Sequence, residues 1–169
     1  IKGIVLGFAM LASATASAQP NCFQVALFTV DNENVDTEEE ARAAAIPEHR
    51  LLQIQNAIVN ELSASFTNAK VLVSEGEKCP ESGDSLLVGG KITDFKKGNK
   101  ALRYLVGFGA GAQKVQVMVS LSSGDGKLVA EGEIIDRKFA GLIGGSEQKG
   151  IKDFAEKVVA FVKQSLAAK

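Results

Sequence analysis

The sequence predicts an α+β domain: a single mixed sheet of about five strands with two helices packed on one face. Val115, Val117, Val119 and Leu121 alternate strictly with Gln116, Met118 and Ser120, the pattern of a strand with one buried and one wet face. Leu51, Ile54, Ile58, Leu62 and Phe66 recur at helical spacing, and so do Ile151, Phe154, Val158, Val162 and Leu166. Each helix therefore has one stripe to bury, and the strands offer one apolar face, so both helices belong on the same side.

The elements follow in order. Lys2, the apolar run from Ile4 to Ala12 and the small residues Ala16-Ser17-Ala18 have the layout of a secretory signal peptide. The run is short of the roughly 20 apolar residues that span a bilayer. Residues 1–18 read as a signal peptide and 19–169 as one domain, which predicts an exported protein, periplasmic or extracellular. Cys22 follows Gln19-Pro20-Asn21 and lacks the small apolar residues that precede a lipid-modified cysteine, so no lipid anchor is expected.

Phe23 to Val30 is a β-prone run, and Asp31 to Glu40 is an acidic stretch that reads as a solvated loop. Pro47 suits the first turn of a helix over about 47–67, ended near Asn68. Lys70 to Ser74 supplies a short strand, and strand, helix, strand suggests a right-handed crossover. Glu75 to Asp84 is a loop by composition. Ser85 to Phe95 is a strand whose Gly89-Gly90 predicts a bulge or a close backbone approach. The strand at 115–121 and the alternation of Leu128, Ala130, Gly132 and Ile134 flank the turn Ser122-Ser-Gly-Asp-Gly126, an antiparallel hairpin. Ser146 is placed to cap the last helix.

Two apolar, glycine-rich segments interrupt this scheme: Lys100 to Ala112, and Phe139-Ala-Gly-Leu-Ile-Gly-Gly145. Gly107-Phe-Gly-Ala-Gly111 is not a dinucleotide fingerprint, because its spacing is G-x-G-x-G and a strand follows it where a helix is needed. One reading is a tightly folded crossover; the other is an apolar tip that meets a partner or a lipid surface. Lys96, Lys97, Lys100 and Arg103 stand beside Tyr104, Leu105, Val106 and Phe108, and Leu142 and Ile143 belong to the second segment. These ten residues are the candidate partner surface, against the plainer reading of a solvated, lysine-guarded sheet edge. Both segments should leave from one end of the antiparallel strands.

The formal net charge is −1, and −2 once Lys2 is removed, which gives no global pull toward nucleic acid or anionic membrane. An exported chain with two cysteines has one intramolecular pairing, Cys22 with Cys79. His49 is the single histidine, the acidic run lacks the layout of a calcium loop, and no G-x-S-x-G elbow occurs. No cofactor and no catalytic residue is predicted. The leading expectation is a non-enzymatic binding or assembly module for an envelope protein or an anionic envelope component, with no nucleic-acid partner. The alternatives are a membrane-active or self-assembling protein acting through the glycine-rich segments, with peripheral membrane contact, and an enzyme with an unflagged site.

Gly90-Lys-Ile-Thr-Asp-Phe95, Gly98-Asn99, Arg103-Tyr104, Val106-Gly-Phe-Gly-Ala-Gly111, Gly124-Asp-Gly126 and Gly141-Leu-Ile-Gly-Gly-Ser146 together resemble the domain of unknown function 4410 family. The resemblance covers about residues 23–166 and implies exported bacterial proteins, sometimes lipid-anchored, without an assigned activity. More loosely, the element order is similar to anticodon-binding-like α/β domains of envelope assembly proteins, a likeness of fold that fixes no function.

Overall fold

The computed structural model describes residues 19–30, 46–81, 84–96, 114–137 and 147–168. Strands β1 (Cys22–Val25) and β2 (Thr29–Val30) precede helix α1 (Glu48–Ser65) and β3 (Lys70–Val73). Then come β4 (Ser85–Lys96), β5 (Lys114–Ser123), β6 (Leu128–Asp136) and α2 (Glu147–Ala167). Among the described residues the strands form one six-stranded mixed sheet in the order β3-β1-β4-β5-β6, with β2 alongside β4. β1 is parallel to both β3 and β4, whereas β4, β5 and β6 form an antiparallel meander.

The expected first strand is two strands. Val25 lies opposite Val88 but Thr29 opposite Lys91, so the first segment carries one residue more than its partner between these points. The surplus residue breaks the ladder and lets Phe28 turn inward, where its ring is buried and meets Phe154 edge-on at 6.3 Å. Room for that ring is made by Gly90: a Cβ there would lie 2.5 Å from it. The close approach expected at Gly89-Gly90 thus falls on Gly90.

Period-two alternation assigns the faces. Phe23 and Val25 of β1, Leu86, Val88 and Ile92 of β4, and Val115, Val117, Val119 and Leu121 of β5 are all buried. They join Leu51, Ile54, Ile58 and Leu62 of α1 and Ile151, Phe154, Val158 and Val162 of α2 in a single core. Both helices therefore sit on one face, packed against each other as well as against the sheet. On β6 the inward row continues through Gly132, whose missing Cβ leaves room for Phe161 of α2, 2.8 Å from where it would be. α1 ends at Ser65, before Asn68, with the Phe66 N–H donating to the Leu62 carbonyl. The half-buried Phe66 ring stacks at a tilt on Phe23, 4.7 Å between centroids. In the β5–β6 turn Gly126 has φ +85°, the left-handed region that glycine enters without strain.

β3 and β4 are parallel and β1 lies between them, so residues 74–84 must run back along the sheet. Cys22 alternates with the inward Phe23 and so points to the face away from the helices. There it is disulfide-bonded to Cys79 of the return loop, with the Cα atoms 5.8 Å apart. At the other end of the loop, the buried Gln55 amide of α1 donates to the Val25 carbonyl at 3.0 Å and to Glu75 Oε2 at 2.8 Å. That side-chain hydrogen bond, helped by backbone N–H groups, holds the Glu75 carboxyl below its ordinary pKa.

Candidate functional site

The register places three strand termini side by side. Lys96 at the end of β4 is opposite Lys114 at the start of β5, and Val115 is opposite Asp136 at the end of β6. Val30, the last residue of β2, pairs with Ile92 toward the same end. The chain therefore leaves for residues 97–113, returns, and leaves again for 138–146 at one end of the sheet. Of the candidate partner-surface residues, Lys96 is described as the backbone end of β4. Lys97, Lys100, Arg103, Tyr104, Leu105, Val106, Phe108, Leu142 and Ile143 lie outside the described residues.

The face away from the helices carries a polar row near this end. Ile92 pairs with Val117 and Asp94 with Gln116, so Thr93 is the extra residue of a bulge, its hydroxyl donating to the Gln116 carbonyl at 3.3 Å. Strict alternation from the buried Ile92 would turn Asp94 toward the core. The bulge turns it to the outer face instead, a known use of bulges. Asp94 Oδ2 then receives Lys114 Nζ at 3.1 Å, and the same ammonium donates to Gln116 Oε1 at 2.7 Å. The Gln116 amide in turn donates to Glu133 of β6, so the row links three strands. Asp94 is buried all the same, which fixes that end of the row, while Glu133 at the other end is exposed.

On the helix side, Asp136 continues the inward alternation of β6 and is fully buried. Lys157 of α2 meets its Oδ2 at 2.9 Å and reaches the Ile135 carbonyl at 3.5 Å. Beside this pair an open cleft of about 620 Å³ runs between β6 and α2, with Arg137, Asp153 and Glu156 on its walls. Sequence reading did not single out Asp94, Asp136 or Gln55. For Asp136 the signal was present, since an acid at the next inward position of Leu128, Ala130, Gly132, Ile134 has to find a buried cation. Gln55 stands one residue after Ile54 on the apolar stripe, and Asp94 depends on a bulge that period alone does not place.

His49 is exposed in the first turn of α1. Among the described residues no group of three or more His, Cys, Asp or Glu side chains is arranged to hold a metal ion, and no helix is long and apolar enough to cross a membrane.

Among solved structures, the chain is similar to an uncharacterized protein whose crystal structure superposes with a TM-score of 0.50 at 14% identity, over 88% of this chain and 94% of that one. At this identity the likeness concerns the fold alone. Two PelC dodecamers from Paraburkholderia phytofirmans also align at 14% identity over 88% of this chain. One of them, a single-substitution variant, gives a TM-score of 0.49 over 90% of its own chain, and the other 0.45 over 89%. No curated protein matches. A family model matches residues 23–141, most of the chain, from the first strand through the hairpin and into the second glycine-rich segment: the chain belongs to the family described as Domain of unknown function (DUF4410).

Proposed function

We propose that this protein is a non-enzymatic, exported binding module, periplasmic or extracellular, which works through the end of its sheet where both glycine-rich segments attach. The observation that carries the reading is the register: Lys96 beside Lys114 and Val115 beside Asp136 bring the roots of the two segments together. The composition of the segments supports binding over catalysis. Residues 97–113 and 138–146 contain Lys, Arg, Tyr, Phe, Leu, Ile and Val among glycines, and no Asp, Glu, His or Cys. Such a surface suits an envelope protein or an anionic envelope component, with the cations of Lys96, Lys97, Lys100 and Arg103 around the apolar Leu105, Val106, Phe108, Leu142 and Ile143.

The test is Phe108→Asp with Leu105→Ser in the protein from residue 19 onward, compared with the parent in thermal unfolding, size-exclusion and flotation with anionic and neutral liposomes. The expected result is an unchanged melting temperature with loss of association. A large fall in melting temperature would show that these side chains belong to the core, and the reading would fail. Flotation with anionic but not neutral vesicles identifies a membrane surface as the partner, and a concentration-dependent elution volume identifies self-association.

A further inference from the structure

We propose that the outer edge of β6, with the cleft between it and α2, takes an extended basic peptide as an added strand. Among the described residues β6 is the last strand of the sheet, and it is nine residues long. Which of its backbone groups face outward follows from one contact. Lys157 of α2 reaches the Ile135 carbonyl, so that carbonyl points away from β5. In an antiparallel pair both backbone groups of every second residue point the same way, so Glu133 and Glu131 also present N–H and C=O outward, up to the slip of register at Val129, where Leu121 pairs with Ala130 but Ser122 with Leu128. The ladder on the other side agrees: Val88 directs its carbonyl to Ala26 at 2.9 Å, as the same alternation carried across β5 and β4 requires. Lys157 therefore closes one end of the edge, and among the described residues no strand pairs with the outward groups of Glu131 and Glu133.

Charge selects the occupant. The exposed Glu131 and Glu133 project on the open face of the sheet, and Asp153 and Glu156 line the cleft with the buried Asp136. Against these five carboxylates stand Arg137, Lys157, and Lys152, which lies 3.6 Å from Glu156 and 3.9 Å from Glu61. The surplus is negative. A second copy of β6 is a poor partner, since antiparallel pairing centred on Gly132 would set Glu131 against Glu133, and like charges directly opposite repel. An extended segment with Lys or Arg at every second position sets a cation beside each glutamate. Its intervening side chains then turn toward Ala160 at the cleft wall. An edge strand beside a helix, main-chain pairing for affinity and alternate side chains for selectivity are the elements of strand addition.

The experiment uses the protein from residue 19 onward and a short synthetic peptide of alternating Lys and Val, followed by fluorescence polarisation and by hydrogen exchange of the β6 amides. The Lys/Val peptide is expected to bind and to slow exchange at Glu131 and Glu133. Glu131→Lys with Glu133→Lys, which alters two exposed side chains, is expected to weaken it about tenfold at low salt. A peptide of alternating Glu and Val, or a Lys/Val peptide N-methylated along one edge, is expected not to bind. Equal binding of the Glu/Val or N-methylated peptide, protection confined to strands other than β6, or no binding at all overturns the proposal. Glu131 and Glu133 belong to β6 and not to the glycine-rich segments, so Phe108→Asp with Leu105→Ser is expected to leave peptide binding intact, and the two readings fail separately.

Discussion

At the residue scale, two glycines on the inward face do the same job against rings that differ in freedom. A Cβ at Gly90 would lie 2.5 Å from the buried Phe28 ring, and one at Gly132 would lie 2.8 Å from the half-buried Phe161 ring. Phe28 is enclosed and wedged against Phe154, so the clash has to be absorbed by the core. Phe161 is only half-buried, so less packing opposes a shift of its ring. Gly90→Ala is expected to cost about 1–3 kcal/mol and Gly132→Ala distinctly less, read by urea denaturation; equal costs would contradict the difference in enclosure. Glu75 gives a prediction in pH. Its folded-state pKa is lowered, chiefly by the Gln55 amide, so its contribution is fully present above the ordinary glutamate value and is lost as pH falls through the lowered folded value. Glu75→Gln should therefore be less stable than the parent near neutrality, and the gap should close below about pH 4. Asp125, held low by the Ser123 hydroxyl, adds acid sensitivity to both proteins and leaves the difference between them intact.

At the element scale, the return loop between β3 and β4 is the connection that sequence patterning described least well. Its turn-rich composition identified a loop, and two cysteines in a chain expected to be exported identified the bond. That the bond fastens a segment running back across the outer face emerged only with the strand order, because β1 separates two parallel strands that are consecutive neighbours in sequence. The disulfide closes a span of 57 residues, worth about 4 kcal/mol on the chain-entropy model. Cys22→Ala with Cys79→Ala is expected to lose about that much in chemical denaturation, and the parent should lose the same on reduction. A double variant as stable as the oxidised parent would show that the loop is held by its other contacts, chiefly Gln55 with Glu75 and Asn21 with Asp84. The broken first strand and the Thr93 bulge were hidden for a related reason. Each depends on one residue of register between two strands, and a periodic pattern read along a single strand does not carry that information.

At the scale of the whole molecule, the architecture was legible because one physical requirement governs it: a sheet with one apolar face and two helices with one apolar stripe each have a single way to bury all three. The alternation of Val115, Val117, Val119 and Leu121 and the stripes from Leu51 to Phe66 and from Ile151 to Leu166 state that requirement directly, and these residues meet in one core, with Phe66 and Leu166 half-buried at its margin. The polar row was not legible, since Asp94, Lys114, Gln116 and Glu133 come from three strands; the inward position of Asp136 was legible in the alternation of β6, but its partner Lys157, on another element, was not. A single core has a consequence for unfolding. Phe154, from α2, reaches Phe28 beside the interruption between β1 and β2, so the first and last of the described elements are packed through one fully buried ring. Phe154→Ala is expected to cost about 3–5 kcal/mol. That is a large share of the roughly 5–15 kcal/mol that holds a domain of this kind folded. Because the ring belongs to the common core, the loss should appear as one shifted transition by both far-ultraviolet circular dichroism and hydrogen exchange, with α2 and β1 opening together. Early, separate exchange of α2 while β1, β4 and β5 stay protected would show instead that the last helix unfolds alone and that the core is two units.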